Sequence, residues 1–119
     1  MPAGTRDLLI EQGATFRHVL ELHQGDENGP LVDLTGYTAR MQARTSVRAA
    51  EPLFSLDSEE VGGLTLGGEA GTIAIHLTAA QTAAITLANG VYDLELEAPN
   101  GDVTRLVQGT LTISREVTR

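Results

Sequence analysis

The feature that most constrains this chain is the alternation of apolar and polar residues along most of its length. Between residues 37 and 44, Tyr37, Ala39, Met41 and Ala43 occupy one side of the pattern, and polar side chains occupy the other. Successive side chains of a β-strand point to opposite faces, so this period of two predicts a strand with one face in a core. Glycine-containing turns separate similar segments at intervals typical of a sandwich or barrel.

The alternation recurs in further segments, all of which we predict to be strands. With the segment 37–44 already described, the predicted strands are residues 7–11, 15–22, 31–34, 37–44, 52–57, 71–77, 92–97 and 103–114. Residues 64–66 lie between two Gly-Gly pairs and are long enough only for an edge strand or a turn extension. Asn-Gly dipeptides at 28–29 and 100–101 predict hairpins, because this pair tolerates the positive φ angles of tight turns. In the last strand, Gly109 marks the expected position of a break or a bulge.

The period changes once, after residue 77. Thr78 and Gln81 have the spacing of a capping box, so we predict a short helix from there to about Leu87, ended by Asn89-Gly90. The fold class that follows is all-β: an antiparallel β-sandwich of about eight strands with one short connecting helix. A length of 119 residues fits a single domain spanning 1–119, and we expect short flexible ends at 1–5 and 115–119.

Composition excludes several classes of function. The formal net charge is −8 and all eight basic residues are arginine, so we expect neither nucleic acid nor an anionic membrane surface as a partner. The chain has no cysteine, which removes disulfides, thiolate metal sites and cysteine nucleophiles. The N-terminal residues lack the basic and then apolar run of a secretory signal, which predicts synthesis in the cytoplasm.

The residues that carry catalytic or metal chemistry are few and scattered. His18, His23 and His76 have no second histidine at metal-ligand spacing, and His18 falls on the apolar side of its strand, as a hydrogen-bonded core histidine does. No serine lies in a G-x-S-x-G elbow. We therefore predict no catalytic, cofactor-binding or metal-binding residues and no small-molecule substrate, and we expect that the protein is not an enzyme.

One surface has a distinctive pattern of charge. Arg40, Gln42 and Arg44 share the polar side of one strand, and the pattern continues towards Arg48. A later strand carries an acidic ladder, Asp93, Glu95 and Glu97, on its polar side. The arginines either pair with this ladder within the monomer or bind an acidic neighbouring subunit, where arginine is enriched. Residues 40, 42, 44 and 48 are thus the predicted partner-binding residues.

Two motifs carry a resemblance to a known group of proteins. Asp33-Leu-Thr-Gly36 and Gly90-Val-Tyr-Asp-Leu94, in this order of segments, resemble small β-sandwich virion proteins of tailed bacteriophages. The chain is also similar to the N-terminal domain of the phage baseplate upper protein family, over about residues 7–117. In such families the domain is a docking module that ties receptor-binding parts to the tail. From the sequence given we expect no long C-terminal extension leading to a receptor-binding protein, so the resemblance leaves the place of this chain in a particle open.

The resemblance implies a structural component of the virion that acts through protein–protein contacts with other phage structural proteins in multiple copies. A tail, baseplate or fibre-attachment adaptor is the first expectation, and a head decoration or a neck or collar protein is the alternative. A carbohydrate- or receptor-binding module is an alternative of another class. Such sites stack sugars on exposed aromatic rings, whereas Tyr37 and Tyr92 both fall on predicted inward faces.

Overall fold

A computed structural model describes residues 4–24, 29–86 and 88–117, and it places them in two β-sheets packed face to face. In this part of the chain the strands are β1 (Gly4–Thr5), β2 (Leu8–Glu11), β3 (Phe16–Glu21), β4 (Thr38–Arg44), β5 (Phe54–Asp57), β6 (Leu64–Leu66), β7 (Thr72–Leu77), β8 (Asn89–Glu97) and β9 (Val103–Ser114). A 3-10 turn at Gly68–Ala70 precedes β7, and helix α1 (Ala79–Ala83) follows it. The predicted β-sandwich with one short helix is confirmed.

The larger sheet has the strand order β1–β9–β8–β4–β5, with β2 also paired to β9. The β8–β9 hairpin turns through the predicted Asn100-Gly101, where Gly101 has a φ of 93°. The β4–β8 and β4–β5 pairs are antiparallel as well. By contrast, β1 and β2 run parallel to β9, so the N-terminal segment departs from the antiparallel pairing expected from the sequence.

The smaller sheet has the order β3–β7–β6, and both of its pairings are antiparallel. Leu64–Leu66, expected as an edge strand or a turn extension, is the edge strand β6. Residues 31–34, predicted as a strand, form only an isolated bridge between Leu31 and His23. Asn28 of the hairpin predicted there lies outside the described residues.

One aliphatic core fills the space between the sheets. The alternating inward residues of β4, β8 and β9 supply its centre, where Met41, Leu94 and Leu111 are fully buried. Ile73, Ile75 and Leu77 of β7 face them from the smaller sheet. Burying an aliphatic side chain contributes roughly 1.5–3 kcal/mol, so this repeated alternation is the main source of the fold's stability. No helix in the described residues is long and apolar enough to cross a membrane.

The irregularity in β9 lies three residues before the predicted position. Leu94 pairs with Val107 and Glu95 pairs with Arg105, so Leu106 is the extra residue of the bulge. Gly109 has a different role, because a Cβ there would lie 2.1 Å from the carbonyl oxygen of Arg6. A glycine in a strand also marks a close backbone approach, and here the approaching backbone is the N-terminal segment.

Several bonds hold the N-terminal segment where it passes Gly109. The amide of Arg6 donates to the carbonyl of Gln108 at 3.0 Å, and the Tyr92 hydroxyl donates to the carbonyl of Arg6 at 2.5 Å. Burial raises the pKa of Tyr92, which keeps this donor protonated. Gly4 and Thr5, placed within the flexible N-terminal end by the sequence, are therefore paired with β9.

Helix α1 is tied to the turn between β2 and β3 by one buried hydroxyl. The capping box is present as predicted, with Thr78 accepting from the amide of Gln81. The helix ends at Ala83 and β8 already begins at Asn89, so the expected stop at Asn89-Gly90 is wrong; Leu87 lies outside the described residues. Thr82 is fully buried, and its Oγ1 accepts from the amide of Gly13 at 3.0 Å and donates to the carbonyl of Ala14 at 2.8 Å.

We predict that Thr82→Val lowers the free energy of unfolding by about 1–3 kcal/mol, because the partly buried backbone groups of Gly13 and Ala14 lose their hydrogen-bond partner. Valine keeps the shape of threonine but has no hydroxyl. Urea unfolding followed by circular dichroism measures the change. Thr82→Ser is the matched control and is expected to retain most of the stability; equal losses in both variants would contradict a role for the hydroxyl.

The carboxylate of Asp7 gives the N-terminal segment a dependence on pH. Its Oδ1 accepts from the amide and the hydroxyl of Thr110, at 3.1 and 2.9 Å, and these bonds lower the pKa of Asp7. A carboxyl group with a lowered folded-state pKa stabilises the fold above its unfolded pKa, and that contribution is lost as the pH falls through the folded pKa. We predict that Asp7→Asn is less stable than wild type at pH 7 and that the difference shrinks below about pH 4. Urea unfolding midpoints of wild type and variant, measured at pH 7 and below about pH 4, test this. A stability difference that is the same at both would refute it.

Candidate functional site

The outer face of the larger sheet carries the predicted partner-binding residues. The strand register places side chains of alternating charge in one row across the sheet. That row is Asp57 on β5, Arg40 on β4, Glu95 on β8 and Arg105 on β9. The next row is Ser55, Gln42, Asp93 and Gln108. On β4, β5 and β8 the neighbours on this face are two residues apart, as the sequence pattern alone indicates. On β9 they are three apart, because the bulge at Leu106 lies between Arg105 and Gln108.

Arg40 is paired within the monomer. Its Nε lies 2.8 Å from Oε1 of Glu95, and the hydrogen bond to this carboxylate raises the pKa of the Arg40 guanidinium. The Arg40 side chain is 58% exposed and that of Glu95 is 28% exposed, so water screens the pair and its contribution to stability is small. Arg105 makes a longer contact of 3.4 Å with Asp93. For Arg40, pairing with the acidic ladder within the chain is thus present, as one of the two interpretations expects.

Arg44 has a different set of partners. Its Nη1 donates to the carbonyls of Ala49 and Ala50, at 2.9 and 3.0 Å, and its Nη2 donates to Oε1 of Gln42 at 2.8 Å. Among the described residues, no carboxylate lies within ion-pair distance of Arg44. The residue opposite it on β8 is Val91, which lies beyond the end of the acidic ladder. Neutral amide oxygens therefore hold the guanidinium in place, and within the described part of the chain it forms no ion pair.

A groove runs along this face beside Arg44. It has a volume of about 620 Å³, and Arg44, Val47 and Val91 line one part of it. The charged and amide side chains of the two rows also line it: Arg40, Gln42, Asp93, Glu95, Arg105 and Gln108. Val47 is 86% exposed and Val91 is half-buried. An exposed aliphatic side chain next to an anchored cation resembles the composition of protein interfaces, in which arginine and apolar groups adjoin.

The fourth predicted residue stands apart. Arg48 is exposed in the loop that Arg44 anchors, after β4, and it does not line the groove. The structure therefore brings Arg40, Gln42 and Arg44 together and leaves Arg48 beside them. Sequence reasoning missed Val47 and Val91, because Val47 lies in a stretch without periodicity and Val91 precedes the predicted strand. The lone apolar residue on the polar side of β8 was the available signal for Val91.

The histidines do not form a site. His18 packs beside Phe16 with ring centroids 6.4 Å apart. Its buried Nε2 has no hydrogen-bond partner among the described residues, so at this nitrogen the expectation of a hydrogen-bonded core histidine is wrong. Burial, and then the charge of Arg6, lowers the pKa of His18. His23 lies 2.8 Å through Nδ1 from the carbonyl of Gly29, and His76 is exposed. Within residues 4–24, 29–86 and 88–117, no group of three or more histidine and acidic side chains is arranged to hold a metal.

We predict that Arg44→Gln loosens the loop at residues 45–51, because the bonds to Ala49 and Ala50 are lost. Trypsin cleavage after Arg48 reports this opening, and the rate is expected to rise roughly tenfold. Arg40→Gln is the matched control, since Arg40 makes no bond to the loop. An unchanged rate in Arg44→Gln, or an equal rise in Arg40→Gln, would show that Arg44 does not anchor the loop.

Comparison with known proteins bears on the fold. No family model and no curated protein matches the chain. Among solved structures, the chain is similar to a crystal structure of chicken TCR, with a TM-score of 0.52 and 14% sequence identity over 96% of this chain. It spans 56% of that chain's length. At this identity the likeness shows a β-sandwich and nothing about what the protein binds.

Proposed function

We propose that this protein is a docking module of a larger assembly and that it binds a neighbouring subunit through the outer face of the larger sheet. The observation that carries the proposal is the Arg44 guanidinium, which amide oxygens hold in place and which has no carboxylate within ion-pair distance among the described residues. The partner supplies that carboxylate. Val47 and Val91 supply apolar surface beside it.

The anchoring of Arg44 favours binding. A free arginine side chain loses rotational freedom when it docks, and this loss opposes association. The bonds to Ala49, Ala50 and Gln42 have already fixed Arg44, so less freedom is lost when the partner arrives. Arg40 differs, because a partner carboxylate there must compete with Glu95 at 2.8 Å. We therefore place the centre of the interface at Arg44 and the pair of Arg40 and Glu95 at its rim.

The assembly we propose is the virion of a tailed phage, with a tail, baseplate or fibre-attachment position first and a head or neck position as the alternative. This setting rests on the resemblance carried by Asp33–Gly36 and residues 90–94. In the first motif, Asp33 accepts from the amide and hydroxyl of Thr35, while Gly36 has a φ of 83°. In the second, Tyr92 and Leu94 are core residues. Both motifs thus build the sandwich, and the docking role rests on the Arg44 surface.

Immunogold electron microscopy of particles from the source lysate, with antibody raised against this protein, tests the setting. Gold at the tail tip or fibres supports the tail position, and gold at the head or neck moves the protein to the alternative position. Free protein with accessible epitopes and unlabelled particles would rule out a virion role.

The Arg44 surface is tested by co-sedimentation of tagged protein with particles that lack it. We predict that Arg44→Glu and Val47→Asp each reduce binding at least tenfold, because the first reverses the charge and the second places a carboxylate on the apolar surface. Arg115→Glu is the matched control, since Arg115 is exposed and does not line the groove, and its reversal changes the net charge as much as that of Arg44. If binding falls equally in the control, the loss is caused by the change in net charge and not by the Arg44 surface.

A further inference from the structure

Strand β3 presents an open edge of the smaller sheet. In the described part of the chain it pairs with β7 alone, so the backbone groups on its other side have no strand partner. An open edge is a template for another strand, and proteins either block it or use it. The side chains of β3 show no blocking proline, inward charge or bulge.

The alternation of hydrogen bonds along β3 shows which of its backbone N–H and C=O groups face the open edge. The amide of Leu22 donates to the carbonyl of Gly71 at 2.8 Å, across the register that continues from β3 to β7. In an antiparallel ladder every second residue bonds the neighbour, so Phe16, His18 and Leu20 bond β7 like Leu22. The alternation along β7 is consistent with this assignment, because the amide of His76 points away from β3 and donates to the carbonyl of Gly63 at 2.8 Å. The residues of β3 whose N–H and C=O groups face the open edge are therefore Arg17, Val19 and Glu21.

The side chains of these three residues also share one face. All are exposed, and Val19 is 58% exposed despite being aliphatic. Their order is a cation, an aliphatic residue and an anion at steps of two. Such a segment is complementary to its own reverse, because an antiparallel copy centred on Val19 reads anion, aliphatic residue and cation.

We propose that two copies of this chain associate edge to edge through antiparallel pairing of β3 about a two-fold axis at Val19. Arg17 then lies opposite the partner's Glu21, Glu21 lies opposite the partner's Arg17, and the two valines meet at the axis. Opposite charges directly across an antiparallel pair attract, and aliphatic pairs add contact. The open backbone groups of all three residues are paired, and the three strands of each copy continue as one sheet.

Other registers satisfy fewer of these groups. After a shift of one residue, each residue with open backbone groups lies opposite a residue whose N–H and C=O already bond β7. The inter-strand hydrogen bonds then cannot form. A shift by two residues keeps the backbone phase but places a charged residue opposite Val19. A parallel pairing in register places Arg17 opposite the partner's Arg17. Of these registers, only the antiparallel one centred on Val19 forms both Arg17–Glu21 charge pairs and also pairs the open backbone groups.

The interface is small and therefore weak. A single strand pair buries less than the roughly 1,200 Å² of a stable complex, so the dimer forms at high concentration or where an assembly holds copies close together. Within its own chain, the carboxylate of Glu21 lies 3.6 Å from Nε2 of His23. The Glu21 side chain is still 63% exposed and therefore accessible to a partner. This inference goes beyond the docking function, because β3 lies in the other sheet and none of the residues at the Arg44 surface takes part.

Sedimentation equilibrium of the full chain, at concentrations up to about 1 mM, tests the proposal. Wild type is expected to show a monomer–dimer equilibrium at low ionic strength. Arg17→Glu and Glu21→Arg each place like charges opposite one another twice, so each is expected to weaken dimerisation at least tenfold. Thermal unfolding checks that both variants remain folded.

Mixing the two single variants provides the decisive measurement. One variant is then acidic at both positions and the other is basic at both, so the proposed register predicts that they form a heterodimer at least as tight as the wild-type dimer. The double variant Arg17→Glu/Glu21→Arg is expected to self-associate again, while Arg115→Glu, the control for net charge, dimerises like wild type. A wild-type chain that stays monomeric throughout, or single variants that do not associate on mixing, would overturn the proposal.

Discussion

The antiparallel register of β4, β8 and β9 is the constraint on which both the core and the surface depend. Met41, Leu94 and Leu111 point inward because each has the inward parity of its strand, and the same parity places Arg40 and Glu95 outside. On β9 the bulge at Leu106 reverses the parity, so Arg105 also faces outward, opposite Glu95. A slip of one residue would exchange the two sets and bury charges. The core has no disulfide and few aromatic rings, so the burial of these aliphatic side chains both stabilises the fold and fixes the register.

Local signals in the sequence were sufficient for elements that depend on neighbouring residues. The alternation in β4, the capping box at Thr78 and the Asn100-Gly101 turn are all properties of a few consecutive residues, and the structure contains all three. Features made by distant residues were not predictable in this way. The parallel pairing of β2 with β9 and the bond between Thr82 and Gly13 join segments that have no reciprocal pattern in the sequence.

The candidate site shows the same limit. Period two was enough to place Arg40, Gln42 and Arg44 on one face, but it gave no information on which carboxylate each arginine meets. That depends on the register across β4 and β8, which puts Glu95 beside Arg40 and Val91 beside Arg44. The irregular loop after β4 then decides that Arg44 bonds its own chain's carbonyls. The distinction between a paired and an unpaired arginine is therefore a tertiary property.

The two proposed surfaces are compatible because they belong to different sheets. Pairing through the edge of β3 extends the smaller sheet and leaves the outer face of the larger sheet uncovered. A dimer of this kind presents two Arg44 surfaces related by a two-fold axis. If each surface binds one site on an assembly, the second contact forms at a high effective concentration, so two weak contacts give firm attachment. A weak strand pair is then an advantage, because dilute free chains are mostly monomeric and copies pair mainly where a high concentration or the assembly brings them together.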